Sequence, residues 1–181
     1  MDIYKRIEEF IVVAEGMWVQ GFTDQGYWSN EIHSTTDELM QIRSTGENKL
    51  KFEGTWKDIK DKVKASGLNL WKHIHFVVPG DETIRTLKIK GKAWLEWSNF
   101  LEENKYAPAN FRIKITEMKE EKNKAIKYML PVFAKWTALS EEDKALQAKA
   151  GGTIKAWHDE NMIKIDEAEW VEKEEITELP F

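Results

Sequence analysis

Residues 71–92, WKHIHFVVPGDETIRTLKIKGK, carry the pattern that decides the fold. Apolar and polar side chains alternate on both sides of a central Pro-Gly-Asp turn, which is typical of a β-hairpin. A loop centred on that turn pairs Ile74 with Leu87 and His73 with Lys88, so the apolar faces of the two strands coincide. The stretch therefore predicts an antiparallel hairpin with one apolar and one polar face.

Hydrophobic periodicity predicts further elements on both sides of the hairpin. They are a strand at residues 50–52, a helix over 55–64, a helix over 93–104, a strand over 111–118, a charged loop over 119–124, a strand over 125–133, and a helix that begins at Ser140 and is broken at Gly151-Gly152. Pro131 places the last strand at an edge or beside a bulge. Residues 1–20 predict a short helix that runs into a strand, and residues 21–47 predict loops around one weak amphipathic turn.

The order strand, strand, helix, strand, strand over residues 71–133 matches the later part of an OB barrel. The first strand of such a barrel would lie upstream, near residues 48–53 or near residues 9–19. We therefore expect an α+β fold that is mainly β, built on an OB-fold barrel. The expected division is an N-terminal extension packed on the barrel (1–47), an OB-like core (48–139), a C-terminal helix (140–165) and an acidic tail (166–181).

The bulk composition excludes several classes of protein. The chain has 181 residues, no Cys and nine Trp. The absence of Cys excludes disulfides and thiolate zinc sites. Nothing at the N-terminus reads as a signal peptide, and no apolar run approaches the length that spans a membrane. We expect a cytoplasmic protein, in the host cytoplasm if the gene is phage-encoded, with no membrane partner.

The acidity of the chain is concentrated at its C-terminal end. Residues 166–181 contain seven Asp and Glu and a single Lys, so they carry about −6, whereas the whole chain carries −5. Residues 1–165 are therefore close to +1. Net charge alone would argue against a nucleic-acid ligand, but a nearly neutral body leaves its lysines able to form a basic patch.

One face of the predicted hairpin combines lysines with an aromatic side chain. Lysines that face phosphates beside an aromatic ring are the usual combination for sequence-tolerant binding of single strands. Alternating lysines also occur on the wet face of a half-buried sheet, so both interpretations stay open. The residues predicted to contact DNA are Trp71, His73, Lys88, Lys90, Lys92, Arg112, Lys114 and Lys127.

The last seven residues, EITELPF (175–181), close the acidic segment. An acidic run that ends in an apolar residue, Pro and Phe resembles the C-terminal tip of bacterial single-stranded DNA-binding proteins (SSBs). Residues 87–91, LKIKG, and 127–133, KYMLPVF, also resemble segments of the phage or plasmid type of this family. The resemblance implies an OB-fold that holds single-stranded DNA and a tail that recruits replication or recombination proteins. The tail residues implied in partner binding are Glu174, Glu175, Ile176, Glu178, Leu179, Pro180 and Phe181.

The tip also has a physical interpretation of its own. Phe181 offers a ring for an apolar pocket and an α-carboxylate for a basic rim. Pro180 favours an extended conformation at Leu179, which lowers the ordering cost of docking. Acidic tails can also serve solubility alone, and an apolar end can simply pack on its own protein.

No catalytic motif accompanies these features. His73 and His75 share a strand face, but spacing places no carboxylate beside them, so we expect solvent-facing or DNA-facing imidazoles and no metal or other cofactor. His33 and His158 are predicted to be isolated surface residues. The sequence has no Gly-rich phosphate loop, nucleophile elbow or pair of catalytic carboxylates, so an enzyme is not expected.

Two hypotheses from different classes follow. The first is an SSB of phage or plasmid type that coats single-stranded DNA with little sequence preference and recruits partners through its tail. The second is a protein-protein interaction module, such as an inhibitor, that mimics the SSB tip without binding DNA. Self-association into a homo-oligomer is compatible with either hypothesis.

Overall fold

The computed structural model of the chain describes residues 9–164. The predicted acidic tail and its partner-binding residues therefore lie outside the described residues. The strands are β1 (Ile11–Phe22), β2 (Gly26–Ser29), β3 (Glu38–Ser44), β4 (Leu50–Thr55), β5 (Asn69–Val78), β6 (Asp81–Ile89), β7 (Phe111–Asn123), β8 (Ile126–Ala138) and β9 (Ile163–Lys164). The helices are α1 (Trp56–Ala65), α2 (Gly91–Glu103), α3 (Ala107–Asn110) and α4 (Glu141–Asn161). The fold is mainly β with helices.

The central hairpin is confirmed, including its register. β5 and β6 are antiparallel, and Ile74 pairs with Leu87 while His73 pairs with Lys88. Gly80 has a φ of +79°, a left-handed conformation that Gly adopts without steric cost in the turn. The local alternation and the turn residues were therefore enough to determine this pairing.

The larger sheet extends from this hairpin in the order β4-β3-β2-β1-β5-β6, with β9 paired to β3. β1 lies inside the sheet, between β2 and β5, so the boundary predicted at residue 47 does not separate an appendage from a core. Of the two segments considered for a first barrel strand, the one near residues 9–19 pairs with β5. β4, which overlaps the other segment, is separated from β5 by three intervening strands.

The prediction of loops over residues 21–47 is wrong. β2 and β3 form a hydrogen-bonded ladder there, and Met40 and Ile42 are fully buried. β3 alternates strictly between buried and half-buried positions, but its polar residues lowered the hydrophobic contrast on which the sequence prediction depended. The strand predicted near Leu50 is confirmed, and α1 begins after Thr55, whose hydroxyl accepts a hydrogen bond from the Asp58 amide at 3.3 Å.

A separate two-stranded sheet is formed by β7 and β8. The charged loop predicted at residues 119–124 is wrong, because β7 continues to Asn123 and pairs with β8 up to the turn at Lys124. Charged residues alternate on an exposed ribbon as readily as in a loop, so composition alone could not distinguish the two. Pro131 lies in a two-stranded ladder, as an edge position predicts.

Three apolar clusters hold these layers together. The first lies between one face of β1, β5 and β6 and the α2–β8 layer, and it contains Phe10, Ile74, Phe76, Trp97 and Phe133. The second packs α1 against β1, β2 and β3 through Val19, Ile42, Trp56, Ile59 and Val63. The third packs α4 on the opposite face of β1 and β5 through Ile11, Val77, Leu139 and Ala150. Because α4 covers part of the face predicted to be polar, that face is only partly open to solvent.

Helix α4 begins as the sequence predicts and ends differently. Ser140 and Asp143 form a reciprocal capping box. The break predicted at Gly151-Gly152 is wrong, because the helix continues without interruption to Asn161. A Cβ added at Gly151 would stand 3.9 Å from the side chain of Val13 on β1, which is an ordinary contact, so the helix packs on the sheet here without requiring Gly. Among the described residues, no helix has the length and apolar character needed to cross a membrane.

A closed OB barrel is not confirmed. An antiparallel bridge between Phe10 and Ile113 connects the start of β1 to β7. Closure of such a barrel also needs the third and fifth strands to pair, which here are β6 and β8. No β6–β8 pairing occurs between residues 9 and 164, so the sheets remain open. Helix α2 packs against β8 instead.

Candidate nucleic-acid interface

A groove of about 1110 Å³ lies where the open end of the β5–β6 hairpin meets the start of α2 and the β7–β8 ribbon. Its cationic lining residues are Lys64, Lys88, Lys90 and Lys92, and its aromatic lining residues are Trp56, Trp71, Trp94 and Tyr128. Among residues 9–164, no Asp or Glu contributes to the lining. A concave surface with four ammonium groups, four rings and no acid in its wall favours a polyanion that carries flat, stackable groups. We call it the basic groove.

Two lysine-tryptophan pairs mark the sheet side of this region. The Lys90 ammonium lies 4.5 Å from the centre of the Trp71 ring, and the Lys88 ammonium lies 4.3 Å from the centre of the Trp18 ring. Trp18 and Trp71 are direct cross-strand partners in the β1–β5 ladder. Among residues 9–164, neither Lys88 nor Lys90 lies within ion-pair distance of a carboxylate. Their positive charges are therefore available to a ligand.

The Trp71 ring is also fixed in place. Its indole N–H donates a hydrogen bond of 3.1 Å to the backbone carbonyl of Gln20. A ring held in this way loses little conformational entropy when a base stacks on it. Trp18 was not identified from the sequence, because the strand that contains it was predicted only in outline. Its pairing with Trp71 depends on the register between two strands that are distant in the chain.

Lys92 differs from the other groove lysines because it already has a carboxylate partner. Its ammonium contacts Glu121 on β7, and that contact raises the pKa of Lys92 above its usual value. The Tyr128 hydroxyl donates a hydrogen bond of 3.3 Å to the same carboxylate. Lys92 lies in the groove, as the sequence predicts, but its charge is partly neutralised from within the protein.

The structure does not bring the other predicted DNA residues into the basic groove. Lys114 lies 4.3 Å from the centre of the Trp136 ring, and Lys127 pairs with Glu120 at 3.0 Å. Arg112 binds Asp143 at 2.9 Å and Glu9 at 2.9 Å. Strand alternation identified these three side chains as polar, but their neighbours in space are set by helix α4 and the β7–β8 ribbon.

Arg112 is therefore expected to act on stability and not on DNA affinity. Burial opposes ionisation of Asp143, but the Arg112 hydrogen bonds hold the pKa of this carboxyl below its usual value. Arg112→Ala should lower the free energy of unfolding in urea by about 2 kcal/mol, because it leaves a buried carboxylate without its charged donor. DNA affinity should stay within twofold. Lys114→Ala is the control on the same strand, and the reverse outcome, unchanged stability with weaker DNA binding, would restore Arg112 to the interface.

The prediction that His73 and His75 face solvent or DNA is wrong. Both are buried, at 3% and 6% exposure, and both contact the buried carboxylate of Glu31. His73 Nδ1 lies 2.7 Å from Glu31 Oε2, and His75 Nε2 lies 2.9 Å from Glu31 Oε1. The spacing of residues along the strand could not predict this contact, since Glu31 is more than 40 positions away in the chain.

His33 and His158 are not isolated surface residues either. Their rings stack in parallel with centres 3.6 Å apart, and His158 is buried at 6% exposure. His158 Nε2 lies 3.5 Å from Glu38, and His33 Nε2 lies 3.5 Å from Glu31. All four histidines of the chain therefore lie in one region, which α4 and the segment between β2 and β3 bring together.

Comparison with known proteins finds no relative of this chain. No protein family, no curated protein and no solved structure matches the chain.

Proposed function

We propose that the protein binds single-stranded DNA with little sequence preference and recruits replication or recombination proteins through its C-terminal tip. The observation that carries this proposal is the basic groove, which four lysines and four aromatic residues line and to which the described part of the chain contributes no acid. Lysines bind phosphates of any sequence, and every base has a face that can stack on an aromatic ring. The groove is therefore suited to bind a single strand of any sequence and not to discriminate between bases.

In this proposal, one nucleotide would sit at the sheet end of the groove. Trp71 is held at the edge by its hydrogen bond to Gln20, and Lys90 lies against its ring. A base that stacks on Trp71 displaces the Lys90 ammonium from the ring toward the adjoining phosphate. The long flexible side chain of Lys90 permits this exchange, and a cation–π contact is replaced by a contact with an anion.

The fold is part of the same proposal. β1, β5 and β6 form a three-stranded meander in space, α2 follows, and the β7–β8 ribbon is joined to β1 by the Phe10–Ile113 bridge. We interpret this as the strand order of an OB barrel that has not closed. The residues between β1 and β5 would then be an insertion that forms β2, β3, β4 and α1. An opening between β6 and β8 would leave room for a strand of DNA at the place where the groove lies.

The tail has a separate role in this proposal. The residues that would dock on a partner are Glu174, Glu175, Ile176, Glu178, Leu179, Pro180 and Phe181. The acids would steer the tip toward a basic surface, and the terminal ring and carboxylate would supply the specific contact.

Trp71→Ala tests the stacking residue. Loss of one base–ring stack should weaken binding of fluorescent oligo-dT by about 1–3 kcal/mol. Fluorescence anisotropy at low and moderate salt measures the affinity. Trp136→Ala is the control, because Trp136 is an exposed ring that also lies against a lysine, but it does not line the groove. Equal losses in both variants would contradict a specific role for Trp71.

Binding of wild-type protein to oligo-dT separates this function from the alternative. An SSB should bind at low salt, and its tryptophan fluorescence should be quenched by stacked bases. An interaction module that only mimics the SSB tip should show neither effect. Absence of binding at low salt would therefore overturn the proposed function, whatever the tail does.

A further inference from the structure

Three imidazoles surround one buried carboxylate on the face of the sheet opposite to α2. Glu31 is 2% exposed at its side chain, and His73 and His75 are 4% and 8% exposed at theirs. The nitrogens of these two histidines and a carboxylate oxygen all lie within 4.8 Å of one another. The third imidazole, His33, lies 3.5 Å from Glu31 Oε1. We call these four residues the histidine cluster.

The cluster holds a buried negative charge. The two carboxylate oxygens both face imidazole nitrogens, since Glu31 Oε2 lies 2.7 Å from His73 Nδ1 and Glu31 Oε1 lies 2.9 Å from His75 Nε2. In the part of the chain that the structure describes, no Lys or Arg lies within ion-pair distance of Glu31. A buried carboxylate that no Lys or Arg accompanies calls for another cation, because an unpaired buried charge is strongly unfavourable.

We propose that the histidine cluster binds a divalent transition-metal ion of the zinc type, with Glu31, His73 and His75 as ligands and His33 as the fourth. Imidazole nitrogen and carboxylate oxygen are the ligands that zinc prefers when thiolates are absent. Four donors at about 2.0–2.2 Å from a zinc ion stand about 3.4 Å apart in a tetrahedron. The donor pairs that contact Glu31 are separated by 2.7 to 3.5 Å. The donor atoms of Glu31, His73 and His75 all lie within 4.8 Å of one another, so side-chain shifts of about an ångström would bring them to tetrahedral spacing.

The surroundings support a ligand role for the same atoms. His75 Nδ1 lies 2.8 Å from Thr86 Oγ1. If Nδ1 donates its proton to that hydroxyl, Nε2 presents its lone pair to the cluster, which is the arrangement that orients a metal-binding histidine. Gly16 leaves the space that the carboxylate fills, since a Cβ there would stand 2.3 Å from Glu31 Oε1. His33, whose side chain is 35% exposed, provides an entry path.

The ion would have a structural role. Glu31 and His33 belong to the segment between β2 and β3, whereas His73 and His75 belong to β5 at the centre of the sheet. Three of the four ligands are deeply buried, so the site resembles a closed structural site and not a catalytic one with an open position. Bound metal would tie the β2–β3 segment to β5 and stabilise the whole sheet. This inference does not depend on DNA binding.

The test is a zinc titration of untagged, full-length protein that has first been stripped with a chelator. Isothermal titration calorimetry should show one ion per chain, and zinc should raise the melting temperature, an effect that the chelator reverses. Mg²⁺ should do neither, because it prefers oxygen ligands. Co²⁺ used as a probe should give the intense visible absorption of a tetrahedral site with nitrogen ligands.

Two variants assign the site. Glu31→Gln should abolish measurable zinc binding, because it removes the only anionic ligand. Thr86→Val keeps the shape of an exposed strand residue and removes the oxygen that contacts His75, so zinc affinity should fall about 10- to 100-fold. Thr83→Val, on the same strand and outside the cluster, is the matched control and should bind zinc as the wild type does.

Two outcomes would overturn the proposal. If the wild type binds no zinc, the histidine cluster is not a zinc site. If zinc binds equally well to the wild type and to Thr86→Val, the ion occupies another place on the protein. If Glu31→Gln fails to fold, the comparison of zinc affinity among wild type, Thr86→Val and Thr83→Val still tests the location of the site. Oligo-dT binding by the same preparations is a separate result, so failure of the proposed function and failure of the metal site can be distinguished.

Discussion

Removing three groove lysines together, in the variant Lys64→Ala/Lys88→Ala/Lys90→Ala, should weaken binding of oligo-dT about 100-fold at 0.1 M salt. Each lysine that contacts a phosphate releases counterions, and on a single strand each contact contributes about 0.7 to the log–log dependence of affinity on salt. Three lost contacts should therefore flatten the slope by about 2. All three side chains line the basic groove, so a single bound strand of DNA should lose all three contacts at once.

The matched control removes the same charge from elsewhere on the protein. Lys114→Ala/Lys135→Ala/Lys144→Ala leaves the groove intact, because none of these residues lines it. If charge in general attracts DNA, both triple variants should lose affinity equally, and the groove would not be the interface. Lys92→Ala alone should change the slope less than Lys90→Ala, because Lys92 is already paired with Glu121. A larger effect from Lys92 would contradict that interpretation.

Deleting Phe181 should abolish recruitment of the tail's partners while DNA affinity and stability stay nearly unchanged. The terminal residue alone combines an aromatic ring with the α-carboxylate, so both parts of the specific contact are lost together. The acids from Glu172 to Glu178 should matter less individually, and mainly for the rate of association, because charges at a solvated rim act by steering. The measurement is capture of proteins from host lysate by immobilised wild type and variant.

The control for the tip is a variant with one residue added after Phe181. It keeps the ring and displaces the carboxylate, so it should lose capture nearly as completely as the deletion does. A variant extended at the N-terminus by the same residue should capture as the wild type does. If wild type, deletion and extension all recover the same proteins, the terminal Phe is not a docking tip, and the resemblance to SSB tails is accidental.

The sequence predicted best those features that depend on neighbours in the chain. The register of the β5–β6 hairpin follows from strict alternation around one turn, and the caps of α1 and α4 follow from Thr55 and Ser140. The predictions that failed concern the polar strand β3 and the charged ribbon after Met118. In both places the strand is stabilised by its pairing with another strand. Its many polar residues weaken the apolar alternation from which a strand is predicted.

The candidate sites divide in the same way. Alternation alone placed Trp71, Lys88 and Lys90 on one face of the β5–β6 hairpin, and all three line the groove in the structure. Alternation also placed His73 and His75 on that face. In the structure both are buried against Glu31, whose carboxylate occupies the space beside Gly16. No local pattern in the sequence carries that information, because the contact joins segments far apart in the chain.

The sequence by itself therefore determined the hairpin, the helix boundaries with caps, the cationic character of one strand face and the separation of an acidic end from a nearly neutral body. Each of these depends on local backbone preferences and on charge, which are properties of short segments. Only the tertiary structure decided which polar residues are exposed, that Trp18 lies beside Trp71, and that four histidines meet around two carboxylates. Those outcomes depend on how β1, α4 and the β2–β3 segment pack against β5, and packing between distant segments is set by the shape of the whole fold.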